Sequence, residues 1–370
     1  MRRECLWLLG LLLALLTIGI ASVYSANSVY ESVNSHMFRH LAYVSIGLAA
    51  LAAGTQFDYH KLASPFFVRF VVVLSLTLLV AVLVPGIGVE RNGARRWIDI
   101  AGYTFQPSEL GKFSLLLLLA AGLSKRQDEI NSATRVFLPY TGAIVLFAAL
   151  IVVEPDLGTP AVLAATGVIV LIMAGVPWRY TIPTVGLGVL AVVALIATSE
   201  YRARRMLAFL DPWSHRKYEG YQLIQSMVAF VNGSVWGRGP GGGEQKLFYL
   251  PEANTDFIFA VWGEETGVVG SVLLATLFLA LVFVALRIAM NARDLFGTLL
   301  AGGAVALIGL QAVFNMMVSV GLLPTKGLPL PFISMGGTSM IVFLGMMGIV
   351  LSVGMQAEAP RRRLTAVAAA

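Results

Sequence analysis

The sequence has very little of three things on which soluble enzymes commonly rely: cysteine, histidine and charge. Cys5 is the only cysteine among 370 residues, which excludes an intramolecular disulfide and a thiolate metal site. The histidines are scattered without the spacing of metal ligands; they are His36, His40, His60 and His215. Charged residues make up only 12% of the chain, against about a quarter in soluble domains. An ordinary soluble domain is therefore excluded.

Long apolar runs take the place of charge. Hydrophobic residues make up 58% of the chain, and the mean hydropathy is +0.81. A membrane-spanning helix needs about 20 mostly apolar residues. Such stretches lie at 5–23, 38–53, 65–84, 107–123, 137–153, 159–174, 180–197, 267–290, 295–320 and 334–355. We therefore predict an all-α polytopic membrane protein with about ten transmembrane helices, forming a single membrane domain over residues 1–370.

The positions of basic residues predict how the chain is oriented. Ten spans place both termini on one side, and cytoplasmic segments carry an excess of Lys and Arg. Arg2 and Arg3 lie near one end of the chain, and arginines 361–363 lie near the other. This pattern predicts a multi-pass protein of the bacterial cytoplasmic membrane with both termini in the cytoplasm. The net charge of +6 then reports orientation and contact with anionic membrane lipids, and we predict no nucleic-acid partner.

Two predicted outer loops are basic, against this rule: 89–103, and a long loop at about 198–256 between spans seven and eight. The long loop is too long for its charge to decide topology. Guanidinium groups suit a phosphate or pyrophosphate, while general binding of lipid headgroups is the alternative. The candidate contacts to an anionic substrate are Arg202, Arg204, Arg205 and Lys246.

Within the long loop, two sections have the pattern of short helices. Residues 202–210 combine charged and apolar residues, as in a helix at the membrane interface, and Asp211-Pro212 ends them. Residues 220–226 have amphipathic spacing. The long loop is therefore expected to be structured.

Several ionisable residues converge on the predicted outer face. Asp256 leads directly into an apolar run, so it either lines a wet cavity or caps a helix. Asp156 follows the fifth span and has the same two interpretations, while Lys326 sits in the last outer loop. Glu109 and Lys112, three residues apart in the fourth span, share a helix face and can neutralise one another. The pair is equally consistent with a structural and a functional role.

A base and several cations on one outer face suit a sugar-transfer reaction. Asp256 would take the proton from an attacking hydroxyl, and basic side chains would stabilise a departing pyrophosphate. A proton-coupled transporter would more naturally place its acids at the midplane, on broken helices. The arrangement therefore favours chemistry at the outer surface.

Several motifs together resemble the SEDS family (shape, elongation, division and sporulation). In chain order they are FQPSELGK at 105–112, EPDLG at 154–158, FLDP at 209–212, GYQ at 220–222, QK at 245–246, LPE at 250–252, TDFIF at 255–259, EETG at 264–267 and GLLPTKGLPLPFISMGGTS at 321–339. The resemblance covers nearly the whole chain. Two residues depart from it: Asn254 stands where the family often has His, and Met335 where Tyr, Ser or Ala is usual.

The resemblance implies a peptidoglycan glycosyltransferase that polymerises lipid II outside the cytoplasmic membrane, together with a class B penicillin-binding protein. Asp256 matches the family's essential Asp, and Glu109 and Lys112 match its functionally important pair. The resemblance alone also implies a divalent cation, Mg or Mn. The short tails favour the elongation member over the division member. A lipid II flippase and a non-catalytic scaffold of the cell-wall synthesis complex are the alternatives.

Overall fold

The computed structural model describes residues 1–28, 33–91, 94–100, 102–154, 156–247 and 249–358. Within these residues the helices are α1 (Arg2–Asn27), α2 (Val33–Gln56), α3 (Pro65–Ala81), α4 (Pro107–Ser124), α5 (Leu138–Val153), α6 (Gly158–Met173), α7 (Trp178–Ala197), α8 (Glu200–Leu210), α9 (Tyr221–Gly233), α10 (Ile258–Met290), α11 (Leu295–Ser319) and α12 (Thr338–Glu358). The strands are β1 (Gly88–Arg91), β2 (Ala94–Ile100) and β3 (Tyr103–Phe105). Arginines 361–363 lie outside the described residues.

The polytopic helical architecture is confirmed. Each of the ten predicted stretches falls on a helix, from α1 to α7 and from α10 to α12. Seven helical segments of the described chain are long and apolar enough to cross a membrane, and α3 and α6 are shorter apolar helices. The count of ten spans and the position of the termini stay predictions.

The centre of the bundle is formed by α11 and α12. In each of them 72% of the apolar stretch is buried inside the protein, against 6% in α7, which lies at the periphery. α12 packs closely on α2 because Gly348 has no side chain: a Cβ there would lie 2.4 Å from the carbonyl oxygen of Leu51. Lipid does not supply a hydrophobic driving force for helix association, so helices in a membrane are held together by the van der Waals contact that such close crossings provide.

The basic segment 89–103, predicted as a loop, contains a small antiparallel sheet in the order β1-β2-β3. Val89 lies opposite Trp97, and Ile98 lies opposite Phe105. The sheet is attached to the bundle through the carbonyl oxygen of Thr104, which accepts hydrogen bonds from the hydroxyl groups of Tyr43 and Thr338, each at 3.2 Å. Consecutive arginines in β2 conceal its strand pattern in the sequence.

The long loop is structured as expected, with α8 and α9 at the two predicted positions. The predicted start of the eighth span at Gly267 coincides with a kink inside α10, where φ is 68° and two helical segments meet. The first of these segments, which begins at Ile258, was not predicted. Two consecutive acids, Glu264 and Glu265, are unusual in a buried helix and conceal this segment in the sequence. In the structure both carboxylates have partners. The ammonium of Lys246 lies 2.7 Å from Glu265, and Glu264 accepts a hydrogen bond from the backbone N–H of Gln245 at 3.0 Å.

Candidate active site

A polar cavity of about 340 Å³ opens at the end of the bundle where α10 begins. Its walls come from the small sheet, from α8 and α9, from the turn before α10 and from the segment between α11 and α12. The charged residues that line it are Arg96, Arg205, Glu252, Asp256 and Lys326. The cavity therefore brings together three of the site residues predicted from the sequence.

The backbone around Asp256 is held by side chains from the last part of the chain. The Asn315 side-chain amide donates to the carbonyl oxygen of Asp256 at 2.8 Å, and to that of Leu328 at 2.7 Å. The Ser334 hydroxyl donates to the carbonyl oxygen of Thr255 at 2.6 Å. The turn before α10 is thus fixed to α11 and to the segment that precedes α12.

The Asp256 carboxylate faces the cavity and accepts no hydrogen bond from the described residues. Burial raises the pKa of Asp256 to about 8, with smaller contributions from the carboxylates of Glu252 and Asp156. Gly327 allows this position, since a Cβ there would lie 3.0 Å from Asp256 Oδ2. A carboxylate with no donor and a raised pKa is well suited to accept a proton from a bound molecule.

Positive charge lies on the same cavity wall. Arg205 stacks over the ring of Tyr201, with 4.7 Å between guanidinium carbon and ring centroid, and reaches the carbonyl oxygen of Thr325 at 3.5 Å. The pKa of Lys326 is lowered to about 8, mainly by burial and secondly by the positive charge of Arg205. The cavity thus contains more cationic than anionic groups, and a bound anion would reduce the electrostatic repulsion between the cations.

Asp156 caps the start of α6. A helix cap was one of the two roles that the sequence predicted for it, the other being a residue that lines a wet cavity. Its carboxylate accepts hydrogen bonds from the backbone N–H of Gly158 at 2.8 Å and from the Thr159 hydroxyl at 2.7 Å. Arg96 connects this cap to the cavity: its Nε donates to the carbonyl oxygen of Glu154 at 2.8 Å, and its Nη1 lies 3.8 Å from Asp156. Asp156 therefore acts on the cavity through Arg96 and through its field at Asp256.

Glu154 is a buried carboxylate that the sequence analysis did not single out as a site residue. It is 1% exposed, and neither side-chain oxygen has a hydrogen-bond partner in the described residues. Burial raises the pKa of Glu154 to about 8, with a further contribution from Asp156. Glu154 is therefore neutral over most of the physiological pH range.

Glu109 and Lys112 form the predicted pair, buried on α4 at 2.8 Å from oxygen to nitrogen. Lys112 also donates to the side-chain oxygen of Gln311 at 2.9 Å and lies 4.9 Å from the ring centroid of Phe343. The amide nitrogen of Gln311 donates in turn to the carbonyl oxygen of Pro329 at 2.9 Å. The pair therefore supports the segment between α11 and α12, which forms one wall of the cavity.

Three predicted phosphate contacts lie away from the cavity lining. Arg202 donates to the carbonyl oxygens of Leu195 and Val152, at 3.3 and 3.4 Å. Arg204 is exposed and lies 3.4 Å from Glu200 on the same helix. Lys246 is bound within the protein by Glu265, the Ser25 hydroxyl and the carbonyl oxygen of Gly241. A contact between these three side chains and substrate stays a prediction.

Residues that the sequence analysis missed hold or line the site. Arg96 lies in a segment recognised only as basic, and Gln311 and Asn315 are polar residues in an apolar span. Their spacing, with Ser319 a further four residues on, places all three on one face of α11. Polar residues inside a span generally face the bundle interior, so this periodicity was an available signal.

Asn315 is expected to position Asp256. Replacing Asn315 with Leu removes the donor to the partly buried carbonyl oxygen of Asp256 and to the buried carbonyl oxygen of Leu328, and costs about 1–3 kcal/mol of stability. The loosened turn would move the carboxylate and lower turnover more than substrate affinity. Separate measurement of kcat and KM tests this, with Ser352→Ala on α12 as a matched control that removes a buried polar contact far from the cavity. An unchanged kcat in a folded Asn315→Leu variant would contradict the positioning role.

The divalent cation implied by the resemblance has no evident ligand set. Among the described residues, no group of three or more His, Cys, Asp or Glu side chains is arranged to hold a metal ion. The divalent cation therefore stays a prediction.

The fold and the cavity together define a polytopic membrane protein with a candidate transferase site at one end of its helical bundle. The model of the FtsW/RodA/SpoVE cell cycle protein family matches residues 3–359. The chain belongs to this family, and the resemblance to the SEDS family is confirmed.

Similar proteins agree with this assignment. The chain is 42% identical over 346 residues to a probable peptidoglycan glycosyltransferase FtsW of Geobacter sp. (strain M18), covering 90% of this chain and 92% of the relative. It is 38% identical to stage V sporulation protein E of Bacillus subtilis, with 92% and 94% covered. The crystal structure of the rod shape determining protein RodA of Thermus thermophilus superimposes with a TM-score of 0.70 at 28% identity, covering 95% and 97%.

A second solved structure is closer in fold. It concerns the structural coordination of polymerization and crosslinking by a peptidoglycan synthase complex, and one of its chains matches with a TM-score of 0.79 at 29% identity, covering 95% of this chain and 98% of that one. The names of the relatives agree with the glycosyl transfer predicted from the sequence. They include both FtsW and RodA, so the elongation role is not distinguished from division.

Proposed function

We propose that this protein is a peptidoglycan glycosyltransferase that joins the disaccharide units of lipid II into glycan strands. The observation that carries the proposal is the Asp256 carboxylate, which faces a cavity containing Arg96, Arg205 and Lys326 and receives no hydrogen bond from the described residues. The names of the curated relatives and the family membership support the same reaction class.

Asp256 acts as the general base. Its carboxylate takes the proton from the 4-hydroxyl of the acceptor sugar, and the hydroxyl oxygen then attacks the anomeric carbon of the donor. A new carbon–oxygen bond forms as the bond from the anomeric carbon to the pyrophosphate oxygen breaks. The proton stays on Asp256 until it is released to water, and undecaprenyl pyrophosphate leaves with the bonding electrons.

The cationic wall stabilises the leaving group. Charge builds on the departing pyrophosphate in the transition state, where fixed positive groups are most effective. Arg205 and Lys326 come from distant parts of the chain and meet at this wall. Arg96, held by the backbone of Glu154, supplies the third cation without having to reorganise.

The pH dependence of the reaction is expected to follow Asp256. A base must be ionised to act, so with a pKa of about 8 the value of kcat/KM should rise with pH up to about 8. Glu252 raises this pKa, hence Glu252→Gln should move the rising limb to lower pH. Glu200→Gln, which removes an exposed acid from α8, is the matched control and should leave the limb in place. A limb that moves equally in both variants would contradict this assignment.

The partner is proposed to be a class B penicillin-binding protein, and the solved peptidoglycan synthase complex supports this. The decisive experiment reconstitutes the protein with that partner and purified lipid II, and follows glycan strands by gel electrophoresis. Glycan formation supports a polymerase. An intact complex that forms no glycan but moves lipid II across vesicles would favour the flippase, and one that does neither would favour the scaffold.

Two finer points stay proposals: the membrane orientation and the cellular process. We place both termini in the cytoplasm and the Asp256 cavity outside, which labelling of single introduced cysteines in a Cys5→Ser background would test. Elongation is supported by the RodA structures, whereas the FtsW names of the curated relatives favour division. Depletion that produces round cells would indicate elongation, and depletion that produces filaments would indicate division.

A further inference from the structure

A second cavity, of about 350 Å³, lies between α3, α4 and α5. Its lining is mostly apolar and includes Val68, Leu118, Ala121 and Tyr140. The Tyr140 ring packs closely on Gly122, where a Cβ would lie 2.1 Å from the Tyr140 hydroxyl oxygen. The groove is near the last turns of α4, whereas the Asp256 cavity adjoins its first turn, roughly 25 Å away along the helix.

Three cations border this groove: Arg69, Lys125 and Arg126. Each is held by one backbone carbonyl oxygen, those of Pro65 at 3.0 Å, Ala63 at 2.8 Å and Arg135 at 2.8 Å respectively. In the described part of the chain none of the three forms an ion pair with a carboxylate. Their remaining N–H groups are therefore available to an anion in the groove that all three line.

The neighbouring acids do not neutralise this cluster. Asp128 and Glu129 follow Arg126 in the same connection, and both are absent from the groove lining. The Glu129 carboxylate is already paired with Arg135, at 2.5 Å. The groove therefore keeps an uncompensated positive border.

The chain around the groove also exposes apolar side chains. Phe66, Phe70 and Leu138 lie within two residues of lining residues in the sequence, and they are 79%, 53% and 57% exposed. A soluble anion or an acidic peptide would bind the cations but would leave the apolar part of the groove empty. A molecule with a phosphate headgroup and acyl chains matches both parts.

We infer that this groove binds an anionic phospholipid, with the phosphate on Arg69, Lys125 and Arg126 and an acyl chain along Leu118 and Tyr140. The site lies at the end of the bundle opposite the Asp256 cavity, and its occupant is a membrane lipid distinct from the substrate. It does not depend on the proposed glycosyltransferase activity, so its test needs no polymerisation assay.

The test uses the full chain in neutral detergent, with phosphatidylglycerol and phosphatidylcholine of identical acyl chains as probes. Native mass spectrometry and thermal unfolding measure retained lipid and stabilisation. Phosphatidylglycerol should bind at least tenfold more tightly, and Arg69→Gln with Lys125→Gln and Arg126→Gln should weaken it roughly 100-fold. The control triple variant, Arg2→Gln with Arg3→Gln and Arg287→Gln, removes equal charge from the same end of the bundle and should bind as the parent does.

Other outcomes overturn the inference. Equal binding of the two lipids, or equal loss in both triple variants, would mean that surface charge alone attracts lipid. Stabilisation by inorganic phosphate as large as that by phosphatidylglycerol would indicate a small-anion site. A further variant, Leu118→Trp, fills the groove and keeps every charge, so undiminished binding of phosphatidylglycerol by folded Leu118→Trp would also contradict the site.

Discussion

Replacing Asp256 with Asn is expected to lower the rate of glycan polymerisation by about 10²–10⁴-fold, the usual contribution of a positioned general base. The amide has nearly the shape of the carboxylate but cannot accept the proton of the acceptor hydroxyl. Backbone contacts of the turn, including the hydrogen bond from Asn315, do not involve the side chain and should persist. The measurement is single-turnover polymerisation of lipid II by the reconstituted complex.

The matched control for this variant is Glu252→Gln, which neutralises another carboxylate in the same cavity. Above pH 8, where Asp256 is ionised in either case, this control should retain most of the parental rate. A folded Asp256→Asn variant that polymerises at the parental rate would show that the proton goes elsewhere. Equal loss in Asp256→Asn and Glu252→Gln at high pH would mean that the total charge of the cavity matters more than one base.

Breaking the ion pair on α4 should have the largest effect on stability. Lys112→Met leaves the Glu109 carboxylate buried without its counterion, and removing one partner of a buried pair costs about 3–5 kcal/mol. Adding Glu109→Gln removes the stranded charge, so the double variant should regain most of that loss. Thermal unfolding of the three proteins in the same detergent measures the difference.

The double variant also separates structure from function for this pair. Restored stability together with restored polymerisation would mean that Glu109 and Lys112 only hold the bundle and the cavity wall. Restored stability without polymerisation would assign them a direct role in the reaction. A Lys112→Met variant as stable as the parent would contradict a stabilising ion pair altogether.

What the sequence predicted well depends on local properties. The apolar stretches and the amphipathic pattern of α9 need only the hydropathy of consecutive residues. The Glu109–Lys112 pair needs only helical spacing. Asp256 and Lys326 were predicted to lie close together because the predicted order of spans puts both on the outer face.

What the sequence did not predict depends on contacts between distant segments. Arg96 reaches the cavity through the register of a small sheet, and Lys246 is bound by Glu265 because the loop after α9 folds onto α10. The three arginines of α8 could not be separated, although only Arg205 lines the cavity. These outcomes are set by tertiary packing, which periodicity does not encode.

The hydrogen bonds that fix the Asp256 turn have a consequence for biosynthesis. Thr255 and Asp256 are held by Ser334 and Asn315, which the ribosome makes much later. The turn before α10 therefore reaches its final geometry only when α11 and the segment before α12 are present. The protein should stay catalytically silent until its last helices have been inserted, so an incomplete chain left in the membrane would not begin uncontrolled strand synthesis.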